Sequence, residues 1–275
     1  MQSTPSDSPQ QRFAQALALV RAERHAEALA LLEPIVATGL FPLARQVLAF
    51  ARFRAEGRDL AEFTLDGERF RFRIAEGNLG LDMFLVSGRF FEQAELEFLR
   101  GRVPSGGTVV DVGANIGNHA VYFGRFLRPS RLIPVEPNPQ AVRRLTENLA
   151  LNGIVPDARG LGKAVGATAG SLGLTLPKGA DLVLERLQGT GDIPVLPLDD
   201  LIDGPVDFLK IDVEGMEMEV LAGARRILSE QRPLIFIEVE GSRTEAFRAW
   251  CGEAGYVIER SFPARDYANH FLRPA

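Results

Sequence analysis

The run Val110-Asp111-Val112-Gly113-Ala114-Asn115-Ile116-Gly117-Asn118 puts a carboxylate near the end of an apolar stretch and two glycines in the turn that follows. A buried strand running into a glycine turn and then a helix presents backbone N–H groups to a polar or anionic ligand. A second acid, Glu136, closes the next apolar stretch, Leu132-Ile133-Pro134-Val135-Glu136-Pro137-Asn138. A carboxylate in that place can accept both hydroxyls of a ribose. Asn115 stands between Gly113 and Gly117, so the third glycine of the dinucleotide fingerprint is missing, and no G-x-x-x-x-G-K-[ST] phosphate loop occurs. Asn still tolerates left-handed backbone better than most residues.

Asp111 would repel a pyrophosphate and suits an ammonium. A ligand with an ammonium, a carboxylate and a ribose fits this set, and S-adenosylmethionine is such a ligand. Transfer of its methyl group is an in-line displacement governed mainly by alignment. A hydroxyl acceptor must also lose a proton, which a nearby base assists. Asp212 and Glu214, in Leu209-Lys210-Ile211-Asp212-Val213-Glu214-Gly215-Met216-Glu217, are candidate bases, Asp212 first. The competing reading has Asp212 orienting the cofactor amine and Glu214 capping a helix. His119 is a further base candidate, or else packs under the glycine turn with one nitrogen bonded. Asn118 and Asn138 are expected to cap the helices after the two acidic turns. Cofactor contact is expected from Asp111, Gly113, Asn115, Gly117, Asn118, Glu136, Asn138 and Asp212. Of Glu238 and Glu240, one is expected to face a cleft and bind substrate hydroxyls, the other to be solvated. Asp212, Glu238 and Glu240 offer oxygens of the kind magnesium takes. No Asp-Asn pair follows that strand, and no metal is expected. An arginine at Gly113 is expected to block the cofactor and spare the fold.

These residues need an alternating strand–helix frame. Strands are read at 108–112, 131–135, near 160–165, 206–211 and 234–239, with two closing strands near 256–260 and 268–272. Intervening helices use Ala120, Val121, Phe123 and Leu127; Ala141, Leu145 and Leu149, stopped at Asn152-Gly153; and Val220, Leu221, Ala224 and Leu228. A further helix opens on Ser242-Arg243-Thr244-Glu245, read as a capping box, with Phe247 and Trp250 facing inward. Gly166–Gly191 reads as irregular and cleft-lining. Upstream, Phe13, Leu17 and Val20, then Leu29, Leu32 and Val36, then Leu43, Val47 and Phe50 mark three helices. Arg24-His25-Ala26-Glu27-Ala28-Leu29 and Glu33-Pro34 look like part of a tetratricopeptide repeat. About one and a half repeats are present, fewer than a solenoid needs. Asp66-Gly67 between Phe63-x-Leu65 and Phe70-x-Phe72-x-Ile74 signals a hairpin.

The chain resembles the FkbM-type family of S-adenosylmethionine-dependent methyltransferases. The resemblance rests on the 110–117, 135–139, 209–217 and 235–239 segments, in that order, and covers about 85–275. It implies a Rossmann-like, doubly wound and mostly parallel sheet with an antiparallel C-terminal edge. It also implies an oxygen acceptor on a sugar or natural product, adenine near Lys163–Val165, and an entrance region that helps to cover the site. The expected layout is a disordered tail (1–11), a helical tetratricopeptide-like appendage (12–60), a hairpin and entrance helix (61–103) and a methyltransferase domain (104–275).

The net charge of −5 gives no basic footprint for nucleic acid. Cys251 is the sole cysteine, so no internal disulfide forms. No signal peptide or transmembrane run is read, and a cytoplasmic protein is expected. Partners are a small-molecule or glycan acceptor, with a homodimer or protein contact through the N-terminal helices left open. Two other readings stand beside the methyltransferase: a scaffold that senses the cofactor without turnover, and an NAD-dependent oxidoreductase, which the missing glycine disfavours.

Overall fold

The structure is a computed structural model describing residues 8–75, 79–175 and 186–275. The described residues up to Phe91 form one compact unit, and those from Glu92 onward form the other.

The first unit holds helices α1 (Pro9–Arg21), α2 (His25–Thr38) and α3 (Ala44–Ala55), a hairpin of β1 (Leu60–Leu65) and β2 (Glu68–Arg73), and α4 (Leu79–Val86). Ser8 and Gln11 close a capping box at α1. Val20, Leu32, Ile35, Val47 and Phe50 are buried between the helices, whereas Leu43 precedes α3 and is exposed, contrary to its expected place on that helix. Asp66 and Gly67 turn the hairpin with φ of 49° and 81°. Positive φ at both central residues is the type I′ turn, whose twist matches that of the flanking strands. Phe70, Phe72 and Phe90 pack edge to face beneath it.

The second unit opens with α5 (Gln93–Arg100). Alternation then runs through β3 (Thr108–Val112), α6 (Asn118–Phe126), β4 (Arg131–Val135), α7 (Pro139–Leu151) and β5 (Ala164–Val165). It continues through β6 (Gly170–Thr175), β7 (Arg186–Leu196), α8 (Leu198–Leu201), β8 (Phe208–Ile211), α9 (Glu217–Ala222), β9 (Leu234–Glu240) and α10 (Thr244–Ala254), and closes with β10 (Tyr256–Pro263) and β11 (Tyr267–Pro274). The main sheet has the order β10-β11-β9-β8-β3-β4. Strands β9, β8, β3 and β4 are parallel, and β11 runs antiparallel to both β9 and β10. Every residue of β3 and β8 is buried, as two-sided helix packing requires. The order of connection reverses between β3 and β8, which makes their carboxyl ends the ligand-binding crevice of such a sheet.

Three readings of the sequence change here. The glycine-rich 166–191 segment, where described, is largely strand: β6 and β7 pair antiparallel, and β7 also pairs with β5. Residues 176–185 lie outside the described residues. The helix through Val220 and Leu228 is broken after Ala222, with a separate π-type turn over Ile227–Gln231. A Cβ on Gly223 would lie 2.1 Å from the Gly166 carbonyl, so backbone meets backbone where a regular helix would continue. Ser242 does not cap α10: Gly241–Arg243 is a 3-10 turn, and the helix starts after Arg243 without a side-chain cap. Among the described residues no helix is long and apolar enough to cross a membrane.

Candidate active site

Gly113 has φ 76°, and a Cβ there would fall 1.7 Å from the backbone carbonyl of Asp212. The glycine is therefore required by the contact between the loops after β3 and β8. This overturns the expectation that an arginine at Gly113 would spare the fold. The N–H groups of Gly113 and Ala114 both donate to the Val135 carbonyl, and that of Gly117 donates to Ala114. Asn115 takes left-handed backbone at φ 46°, and its Oδ1 accepts the Ile116 N–H at 2.8 Å. The loop thus satisfies its own N–H groups, and what α6 offers an anion is its first turn. That helix begins at Gly117, φ 91°, with no side-chain cap, so Asn118 is its first residue and not its expected cap.

Glu136 is 7% exposed and braces the loop. Its Oε2 accepts the Asn115 N–H and its Oε1 the Asn138 N–H, each at 2.8 Å. Asn138 caps α7, accepting the Gln140 N–H at 2.7 Å.

Asp111 is fully buried, and the ammonium that it meets is that of Lys210, 3.1 Å away. The ammonium expected beside Asp111 is, in this structure, that of Lys210. Lys210 is also 3.5 Å from Asp212 Oδ2. Burial alone would pull the Lys210 ammonium's pKa down, but the carboxylates of Asp111 and Asp212 hold it above its ordinary value.

Asp212 lies partly exposed at the end of β8. Enclosure, then the charges of Glu92 and Asp111, raise its carboxyl pKa against the pull of Lys210 and His119. Asp212, Glu214 and Glu238 bring carboxylate oxygens within 4.8 Å of one another, a spacing that a divalent cation could also span. Glu214 follows at φ 51°, and Gly215 at 99° donates its N–H to Glu217. Glu238 is pushed up to about 9, by burial first and then by Asp212, Glu214 and Glu92. Glu238 and Glu240 are two residues apart on one strand, so they share a face. The expected division, one in the cleft and one solvated, is not what forms: both are part-buried, and a Cβ on Gly215 would stand 3.6 Å from Glu240 Oε1.

His119 is buried, with Nε2 3.2 Å from Glu92 Oε2. Glu92, just before α5, also accepts from Asn269 Nδ2 at 2.6 Å. Its own burial works against ionisation, but His119, Asn269 and Lys210 hold its pKa below the ordinary value. Asn269 pairs with Glu238 across β11 and β9, and Tyr267 with Glu240. Burial and the nearby carboxylates raise the Tyr267 hydroxyl, which keeps its proton. Sequence reasoning missed Glu92, Lys210, Tyr267 and Asn269. Only Lys210 left a signal, as a charge inside an apolar strand, where an unpaired ammonium is not tolerated.

An α/β sheet with its switch point at a glycine turn and an acid at the next strand's end is of the doubly wound, nucleotide-binding type. Residues 111–258 match the Methyltransferase FkbM domain, and the chain belongs to that family. Methyltransferase sdnD of Sordaria araneosa is 31% identical over 159 residues, covering 44% of this chain and 61% of that protein. The hexuronic acid methyltransferase AglP of Haloferax volcanii is 31% identical over 143 residues, covering 50% of this chain and 58% of that protein. The chain thus spans less than two thirds of the length of either relative. A crystal structure of methyltransferase FkbM from Methylobacillus flagellatus KT aligns with a TM-score of 0.43 at 19% identity, covering 83% of this chain and 59% of that one.

Proposed function

We propose that the domain binds S-adenosylmethionine at the β3–β8 switch point and methylates a hydroxyl of a sugar or natural product. The observation that carries this reading is the meeting of the Glu136-braced glycine turn with the carboxylates of Asp212, Glu214 and Glu238 across one crevice. The donor set fits the cofactor: acids for its sulfonium and ammonium, the uncapped first turn of α6 for its carboxylate, and Glu136 for its ribose. When bound, that group supplies an electrophilic methyl on a good leaving group.

The chain's own residues align the acceptor and manage its proton. Asp212, which lies 3.5 Å from the Lys210 ammonium, takes the hydroxyl proton. Glu238 keeps its own proton at neutral pH and holds a second acceptor oxygen as a donor. Glu214 stands beside them as the second base candidate. His119 is tied to Glu92 through Nε2, which favours an orienting role over that of base. A sugar-type acceptor draws support from the AglP relative, a hexuronic acid methyltransferase. The N-terminal helices are read as a tetratricopeptide-like appendage of about one and a half repeats.

Calorimetric titration with S-adenosylmethionine, S-adenosylhomocysteine and NADH tests the reading. Binding of the first two alone supports it and opens an acceptor screen by labelled-methyl transfer. Tight binding with no transfer to any acceptor favours the scaffold, and binding of NADH favours the oxidoreductase.

A further inference from the structure

Lys210 lies inside β8 with its side chain 2% exposed, in a strand whose other residues are all apolar. An ammonium so placed must be paired and hydrogen-bonded. Its Nζ donates to the Gly113 carbonyl at 2.9 Å and to the Val112 carbonyl at 3.4 Å. The same atom stands 3.1 Å from Asp111 at the end of β3 and 3.5 Å from Asp212 beyond the end of β8. One cation therefore touches both loops of the crevice. Those loops are already in backbone contact, since the Cβ position of Gly113 falls 1.7 Å from the Asp212 carbonyl.

We propose that Lys210 is a positioning residue for the cofactor, whose ammonium fixes the Gly113 peptide and the Asp212 carboxylate as one unit. The proposal rests on the cofactor reading above. It goes beyond charge compensation for Asp111, a role that Lys210 would fill without any ligand. The carboxylates around Lys210 keep it protonated, so the tie persists across the working pH range.

The test separates the two roles. Lys210→Met alone leaves the Asp111 carboxylate buried and unpaired, and is expected to lower the melting temperature. Asp111→Asn/Lys210→Met removes both buried charges with little change in volume and is the decisive variant. In the full chain, calorimetry should give it an S-adenosylhomocysteine Kd at least about tenfold weaker than wild type, the scale of a charge-assisted hydrogen bond. Hydrogen exchange should show lost protection at 113–118 and 212–215, with β9 and β11 unchanged. A double variant that binds as tightly as wild type means that Lys210 only neutralises Asp111. Protection lost across the whole sheet means that it only holds the fold. Either result overturns the proposal. A wild-type protein that does not bind S-adenosylhomocysteine is a separate outcome, which overturns the cofactor reading and this proposal with it.

Discussion

After β3 the chain turns through Gly113, Asn115 and Gly117 at φ 76°, 46° and 91°; after β8, alongside it, the chain turns through Glu214 and Gly215 at φ 51° and 99°. Both loops place one non-glycine residue in left-handed backbone, a conformation that side chains rarely adopt without reason. The loops differ in what they expose. In the first, backbone N–H groups and the Glu136 carboxylate satisfy one another. Around the second, the carboxylates of Asp212, Glu214 and, from β9, Glu238 crowd together, and those of Asp212 and Glu238 are raised above their ordinary values. The first is a braced cradle, and the second is an acidic surface in backbone contact with it.

The strongest way to break this contrast is at the point where the loops touch. Gly113→Ala puts a methyl group into the Asp212 carbonyl, 1.7 Å away, at φ 76°. Backbone on both sides leaves no flexible atom to yield. The expected loss is about 3–5 kcal/mol, or roughly 10 °C in melting temperature, with loss of S-adenosylhomocysteine binding. A variant that melts and binds like wild type would mean that the two loops are not coupled.

Glu136→Gln tests whether the cradle depends on its brace. An amide has one acceptor oxygen, so its NH₂ must face either the Asn115 or the Asn138 N–H. Leaving one N–H without its acceptor costs about 1–3 kcal/mol, and S-adenosylhomocysteine affinity should fall about tenfold. Loss of affinity with unchanged melting would mean that Glu136 serves the ligand and not the loop.

On the acidic side the expected sign is opposite. Unfolded Glu238 ionises near 4.5, while the folded residue keeps its proton up to about 9. Below the lower value both states are protonated and nothing is lost. Between the two values the native state holds the extra proton, so this residue makes stability fall as pH rises. Glu238→Gln imitates the protonated form. It should match wild type near pH 4 and exceed it by about 2 kcal/mol near pH 9, measured by denaturant unfolding across that range. A constant difference at all pH values would show that the carboxylates do not crowd Glu238.

Much of this frame is legible in the sequence, because it rests on side-chain patterns. Apolar runs such as 108–112 and 234–239 mark buried strands, and Asp66-Gly67 can turn the hairpin because both residues accept positive φ. What escapes the sequence depends on backbone or on distance. Gly173 and Gly191 look like loop residues, yet a Cβ on Gly191 would lie 2.4 Å from the Gly173 Cα, so those glycines allow close strand approach. Ser242-x-x-Glu245 has the composition of a capping box, but Ser242 falls in a 3-10 turn and Glu245 already lies in the first turn of α10. Glu92 and Asn269 stand 177 positions apart and meet only after the sheet has folded. No local pattern could announce them.

The smallest expected effect is the sharpest test of the cradle. Asn115 holds φ 46°, which glycine adopts more easily, and its N–H to Glu136 survives any substitution except proline. Asn115→Gly therefore keeps the backbone path and the brace. It gives up only the Oδ1 bond to Ile116 and some chain entropy in the unfolded state. Relief of left-handed strain offsets part of that, so stability should drop by about 1 kcal/mol or less. If the loop after β3 works through its backbone, S-adenosylhomocysteine affinity stays within about threefold of wild type, since only one neutral hydrogen bond is lost. A tenfold loss without a matching fall in stability would make the Asn115 side chain a ligand group in its own right. The loop after β3 would then act through side chains, as we propose for the loop after β8.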